Sequence, residues 1–115
     1  MCSSDLSIVL GGAAALILCA SGLHAGAIAA DMGAGREKAA VCTTCHGANG
    51  IATAPDAPNL AGTSEIYLAE QLKAYRSGAR QHPQMSIIAS GLSDADIADL
   101  AAWFAAIKVT ATLPE

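Results

Sequence analysis

The feature that most constrains this chain is the string Cys42-Thr43-Thr44-Cys45-His46. Two thiols three positions apart, followed at once by an imidazole, form the pattern by which a c-type haem is attached to a protein. Each cysteine sulfur can add across one vinyl group of the porphyrin, and the histidine can then bind the iron from one face. The string therefore predicts a covalently attached haem c, around which the rest of the chain must fold.

Two other interpretations of the cysteine pair have less support. A thioredoxin-like redox pair would lie beside a βαβ pattern, and the sequence shows no convincing strand. A structural zinc site needs four ligands. Beyond residue 29 the chain has no other cysteine and only one other histidine, His82, so zinc ligands are scarce.

Residues 1–29 are predicted to be a cleavable signal peptide. The run 6–23 is apolar, and small residues in an A-x-A pattern follow it. The segment before the run lacks Lys and Arg and contains Asp5, which is unusual for a signal peptide. An uncleaved membrane anchor is one alternative, and Cys19 raises a lipoprotein as another. All three place residues 30–115 outside the cytoplasm, so we expect a periplasmic protein that contacts a membrane only through a retained leader.

Residues 30–115 are predicted to form one small domain. A chain of about 85 residues lies near the lower size limit for a self-sufficient core. Its two cysteines are committed to haem, so a structural disulfide is not expected, and haem should supply much of the apolar interior. The formal net charge is −4 and no basic patch is present, which argues against nucleic-acid binding.

Periodicity and capping signals predict an all-α fold, with three main helices around the haem and Gly- and Pro-rich loops between them. The predicted helices span residues 33–44, 64–77 and 93–108. Ser64 and Ser93 are expected N-caps, Gly78 fits just past the second helix, and Lys108 is expected in the last turn of the third. Residues 78–91 are predicted to be a loop. The core-facing positions are Leu68, Leu72, Tyr75, Ile97, Leu100, Phe104 and Ile107, with Trp103 beside them.

His46 leaves the opposite face of the iron open to a second ligand. Met85 is the leading candidate because it lies far enough along the chain to wrap the ring, and a thioether ligand raises the reduction potential of iron. A lone methionine is otherwise more often core filler. His82 is the main rival, and water or no ligand are further alternatives. Met32 lies too close before the haem-binding helix to cross easily to the far face.

With these residues in place, the chain resembles small class I bacterial cytochromes c, especially the cytochrome c553 and c5 type and one haem-binding half of cytochrome c4. The resemblance covers nearly all of residues 33–108. It is carried by the segments 42–47, 58–62, 67–68, 71–72, 77–80, 85–86 and 92–104, which read CTTCHG, PNLAG, YL, QL, SGAR, MS and LSDADIADLAAWF.

The resemblance implies a compact cytochrome c fold in which the N- and C-terminal helices cross closely. Gly35 and the alanines after it are then the natural small contacts for Trp103 and Phe104. By position, Pro58 looks like the family's proline whose carbonyl accepts a hydrogen bond from the proximal histidine, here His46. That bond would orient the imidazole and strengthen it as a donor to iron.

Two surface features follow from the same resemblance. Arg80 and Tyr75 are weaker candidates for contacts to the haem propionates, with a solvated arginine and a core tyrosine as the alternative. The chain lacks the ring of surface lysines seen in mitochondrial cytochromes. A small apolar rim near the haem edge, including Ile51, Ile87 or Ile88, is therefore the expected docking surface.

The function expected from these observations is a one-electron carrier between redox protein partners, with no enzymatic activity of its own. One alternative is an electron-transfer subunit of a larger dehydrogenase or oxidase. A second is a haem enzyme or gas sensor, in which the sixth position of the iron would be exchangeable.

Overall fold

The computed structural model describes residues 28–115, so the predicted leader at 1–29 lies almost entirely outside the described residues. Within that range the chain is helical and contains no strand, which confirms the all-α prediction. The elements are α1 (Met32–Lys38), a 3₁₀ turn (Ala39–Cys42), α2 (Thr43–His46), α3 (Glu65–Ser77), α4 (Met85–Ser90) and α5 (Asp94–Ala106). No helix among residues 28–115 is long and apolar enough to cross a membrane.

The haem-binding string ends the first helical segment, as predicted. Asp31 caps α1 because its Oδ1 accepts the N–H groups of Gly33 and Ala34 at 2.8 and 3.1 Å. The backbone then tightens into the 3₁₀ turn and returns to α-helical geometry at Thr43. One nearly continuous helical path, longer than the predicted 33–44, therefore ends on His46.

The predicted caps of the second and third helices are confirmed. Ser64 accepts the N–H of Tyr67, and Ser93 forms a reciprocal capping box with Asp96. Gly78 follows α3 in the left-handed conformation, with φ of 84°. The predicted C-terminal end of the third helix was wrong, because α5 stops at Ala106 and Lys108 lies beyond it.

The segment 78–91 is not a pure loop, because residues Met85–Ser90 form the short helix α4. Six residues are too few to show a helical period, and the N-cap Gln84 makes no capping bond with its own side chain. The acceptor comes from His82, two residues earlier, which is outside the usual capping pattern. The correction matters because it places Met85 at the start of a helix.

The close crossing of α1 and α5 is confirmed, and it depends on Gly35. A Cβ atom at this position would lie 2.1 Å from the carbonyl oxygen of Asp99 and 2.9 Å from Cβ of Trp103. No side chain fits in that space, so only glycine lets the two helix backbones approach so closely. Ala39, one turn further along, belongs to the same buried cluster as Phe104.

A polar cluster ties the same two helices together at their surface. Lys38 Nζ lies 2.7 Å from Asp99 Oδ2 and 2.9 Å from Asp96 Oδ1. The backbone N–H of Asp31 donates to the other oxygen of Asp99 at 2.7 Å. That N–H and then the Lys38 ammonium lower the pKa of Asp99, while Asp99 and Asp96 raise the pKa of Lys38. The almost fully buried Asp99 side chain is thus satisfied on both oxygens.

The apolar interior lies where α3 and α5 face the first helical segment. Its buried cluster consists of Ala39, Leu68, Leu100, Ala101 and Phe104, and the half-buried residues packed on it include Cys42, Leu60, Leu72, Trp103 and Ile107. Ile97 is fully buried. The predicted core stripes of the second and third helices therefore face inward, and one of the two thiols lies against the core.

Candidate haem site

A cavity of about 610 Å³ opens beside the core, between the end of α2, the loop that follows it, α3, α4 and α5. The residues that the sequence singled out for haem contacts all line it: Cys42, Cys45, His46, Pro58, Tyr75, Arg80, Met85 and the rival ligand His82. They come from positions as distant as 42 and 85 in the chain. The fold therefore brings the predicted residues to one site.

His46 is the most tightly defined side chain of the site. It is only 7 % exposed, and its Nδ1 lies 2.8 Å from the carbonyl oxygen of Pro58. A carbonyl oxygen can only accept, so Nδ1 carries the ring proton and donates it to this bond. The lone pair of the neutral imidazole is then on Nε2. The predicted contact between His46 and Pro58 is present, and it leaves the other ring nitrogen able to bind a metal.

The loop after α2 is folded so that Pro58 can reach His46. Gly47 has φ of 77°, and a Cβ there would lie within 2 Å of the Ile51 carbonyl oxygen, so a side chain is excluded. Further along, the N–H groups of Leu60 and Ala61 donate to the carbonyl of Gly50 at 2.8 and 3.0 Å. These bonds turn the chain back and hold the proline segment against the imidazole.

The two cysteines line the cavity together with His46. Both are half-buried and neither is in a disulfide. Burial raises the pKa of the Cys42 thiol, which keeps this sulfur uncharged against the apolar core. A pair of free thiols three residues apart and next to a fixed imidazole has the chemistry needed to attach a porphyrin covalently.

The first turn of α4 adds Met85 to the lining of the same cavity. Its half-buried side chain lines the cavity, as does that of His82. His82 Nδ1 lies 3.3 Å from the backbone N atoms of both Gln84 and Met85 and accepts their N–H groups. Met32, the other methionine that the sequence raised, is exposed on α1, away from the residues that line this cavity.

Arg80 reaches the cavity rim as part of a small group that sequence reasoning only half identified. Its guanidinium stacks 4.6 Å from the centre of the Tyr75 ring and donates to Gln71 Oε1 at 2.6 Å. Gln71 was not predicted as a site residue, although its place one turn before Tyr75 on α3 gives it the same face. All three side chains line the cavity.

The predicted apolar rim is partly at the cavity. Ile87 is 74 % exposed and Ile88 is half-buried, and both line the cavity mouth. Val41 and Tyr67 are also exposed there, although the sequence gave no sign of it. Ile51 is also exposed but is not among the lining residues, so its place in the rim stays a prediction.

The lining fits a large planar apolar group with a metal at its centre. Leu68, Leu72, Leu100 and Phe104 form apolar walls, and most of the lining surface is apolar. The two thiols and the imidazole come from the end of the first helical segment, and a thioether comes from α4. Together the all-helical fold and this set of side chains define a protein that binds haem c.

Comparison with known proteins agrees with that class. The sequence profile for cytochrome c matches residues 33–108. Cytochrome c-554(548) of Halomonas halodenitrificans is 47 % identical over 79 residues, which are 66 % of this chain and 95 % of the relative. Cytochrome c4 of Pseudomonas aeruginosa is 46 % identical over 82 residues, 71 % of this chain and 41 % of the relative. The chain belongs to the cytochrome c family.

The solved structures give the same result for the fold. The crystal structure of reduced recombinant cytochrome c4 from Pseudomonas stutzeri superimposes with a TM-score of 0.65 at 39 % identity, covering 70 % of this chain and 47 % of that one. The chain thus spans less than half the length of the cytochrome c4 relatives, but nearly all of cytochrome c-554(548).

Proposed function

We propose that this protein is a periplasmic monohaem cytochrome that carries single electrons between protein partners and catalyses no reaction itself. When bound, haem c supplies an iron that accepts and releases one electron. The observation that carries the proposal is the placement of His46, with Nδ1 donating to Pro58, and of Met85 in the lining of one cavity. Such a pair would leave no iron position for a substrate.

In this proposal each side chain has a defined task. Cys42 and Cys45 form thioether bonds to the two vinyl groups, each by addition of S–H across a double bond. His46 binds iron through Nε2, and the Pro58 carbonyl holds its orientation. Met85 would hold the iron through its sulfur, a ligand that favours the ferrous state. Arg80, stacked on Tyr75 in the cavity lining, would supply a positive charge to a haem propionate.

Partners are proposed to dock at the exposed apolar rim formed by Val41, Tyr67 and Ile87 at the cavity mouth. An apolar contact suits this chain because its net charge is −4, so long-range attraction to an acidic partner is weak. One relative, 41 % identical over 80 residues, is named a thiosulfate dehydrogenase electron acceptor from Thiomonas intermedia. This supports a dehydrogenase as one class of electron donor.

Spectroscopy of the purified holoprotein tests the proposal. We expect low-spin spectra in both oxidation states, a weak far-red sulfur-to-iron band in the ferric state, and little carbon monoxide binding by the ferrous state. Met85→Ala should lose the far-red band, lower the potential and admit carbon monoxide. Rapid carbon monoxide uptake by the unmodified ferrous protein would instead indicate an exchangeable site, as in a haem enzyme or gas sensor.

A matched control separates ligation from packing. Met32→Ala removes an exposed methionine that does not line the cavity, so its spectra should equal those of the wild type. If the spectra of Met85→Ala also equal those of the wild type, Met85 is not a ligand of the iron. If haem is removed by acidic organic solvent, the covalent attachment through Cys42 and Cys45 is refuted.

A further inference from the structure

His82 is the residue that organises the start of α4. Its Nδ1 accepts the N–H groups of Gln84 and Met85, each at 3.3 Å. Since Nδ1 accepts, the proton of the neutral imidazole is on Nε2, so neither ring nitrogen offers a lone pair to a metal. In this arrangement His82 binds the backbone N–H of Met85 and does not compete with the Met85 sulfur for the iron.

The local sequence explains why a histidine can do this. Pro83 has no N–H and a fixed φ, so the first free N–H groups after His82 are those of Gln84 and Met85. Ser86 closes the segment from the other side. Its Oγ accepts the His82 N–H at 3.0 Å, and its own N–H donates to the His82 carbonyl at 3.0 Å. Four hydrogen bonds therefore join His82 to residues 84–86.

We propose that His82 is a positioning residue for Met85: its Nδ1 holds the backbone from which the methionine side chain lines the haem cavity. This inference rests on the proposed ligation of iron by His46 and Met85. His82 also lines both the haem cavity and an open surface depression bounded by Tyr75, Arg76 and Ser86. His82 thus borders both the cavity and this solvent-facing depression, so a loosened turn would open the cavity towards solvent.

The size of the effect follows from competition for the sixth position. An added ligand such as imidazole must displace Met85, so its apparent affinity rises by the factor by which methionine binding weakens. Removing the Nδ1 acceptor leaves two backbone N–H groups of the turn without their protein partner. We expect about a tenfold rise in apparent imidazole affinity, which corresponds to about 1.4 kcal/mol.

The experiment compares His82→Leu with His82→Asn in the covalently loaded holoprotein. Asparagine places Oδ1 as many bonds from Cα as Nδ1 of histidine, so it keeps the acceptor. His82→Leu should bind imidazole about tenfold more tightly, weaken the far-red sulfur-to-iron band and lower the potential. His82→Asn should stay within about threefold of wild type. The control Gln81→Leu introduces leucine one residue earlier, at an exposed side chain, and should leave imidazole affinity, far-red band and potential unchanged.

Each other outcome has a definite meaning. The positioning role is overturned if His82→Leu binds imidazole with the affinity of wild type. It is also overturned if His82→Asn binds imidazole as tightly as His82→Leu. If His82→Leu does not accumulate, His82→Gln, whose acceptor lies one bond further out, should bind imidazole more tightly than His82→Asn. Absence of the far-red band from the wild type refutes Met85 ligation itself. A high-spin His82→Leu beside a low-spin Met85→Ala would make His82 the ligand.

Discussion

Replacing Gly35 by alanine should destabilise the protein, because α1 and α5 touch backbone to backbone at this residue. The new Cβ would lie 2.1 Å from the Asp99 carbonyl oxygen, whereas ordinary van der Waals contact begins at 3.4 Å. The helices must then separate by about 1 Å in a close-packed interior. Such separation also strains the bonds that Asp99 makes with Lys38 and with the Asp31 N–H.

The expected loss can be estimated from these contacts. Overpacking a well-packed core costs about 1–3 kcal/mol, and the upper end applies here because the opposing atom belongs to a helix backbone. Alanine favours a helix over glycine by about 1 kcal/mol, which offsets part of the cost. A net loss of about 2 kcal/mol should lower Tm by about 8–16 °C in a domain of this size.

The assay is thermal unfolding of the holoprotein followed by circular dichroism, with haem absorption as a second probe. Gly91→Ala is the matched control. Gly91 has φ of −89°, and its nearest neighbour for a new Cβ is 3.8 Å away. Here alanine should raise stability by about 0.4–1 kcal/mol. A Tm for Gly35→Ala at or above that of wild type would refute the argument that backbone contact fixes this crossing.

Three further predictions concern charged groups. The backbone N–H of Ser93 and then Lys38 hold the pKa of Asp96 at about 2, below the ordinary value of 3.8. The stabilisation by the Asp96 carboxylate is therefore complete above about pH 4 and is lost as the pH falls towards 2. Asp96→Asn should therefore lose less stability than wild type between pH 4 and 2 in denaturant titrations. Lys38→Met should lower Tm, and added salt should lower the Tm of wild type towards that of the variant. The control Lys108→Met changes an exposed residue beyond α5 and should have the Tm of wild type. Arg80→Gln should lower the reduction potential in a potentiometric titration, because a positive charge near haem favours the reduced state. The control Arg36→Gln changes a residue on α1 beside Trp103 and should leave the potential unchanged.

The parts of the fold that were predictable are those encoded over short stretches of sequence. Ser64 and Ser93 cap their helices through bonds to residues three positions ahead, so the helix starts can be read directly. The haem-binding string is local in the same sense. The contact between Pro58 and His46 was expected only from the family resemblance, because nothing near Pro58 in the sequence shows which side chain its carbonyl meets.

The parts that were missed depend on partners that simple patterns do not connect. Helix α4 is capped through His82 and across Pro83, so the usual N-cap position carries no signal. The contact of Arg80 with Gln71 joins a loop to α3 across nine positions. The bond between Lys38 and Asp99 joins the two ends of the domain. Charge and polarity alone do not identify such pairs, since each residue could equally face solvent.

His46 and Met85, the two proposed iron ligands, are held in place by unequal means, and this difference bears on function. His46 follows a helix that is clamped to α5 by Gly35 and Lys38, and its orientation is fixed by a loop with its own backbone bonds. Met85 begins a six-residue helix that packs against α3 and is capped by one side chain. Of the residues of α4 only Ala89 is buried, and segments that bury few apolar side chains open at a lower free energy than the core. Under the proposed ligation, the first opening should therefore free Met85 while His46 and the thioether bonds stay in place. In this chain the firmness of the turn around His82 should therefore decide how readily an added ligand reaches the iron.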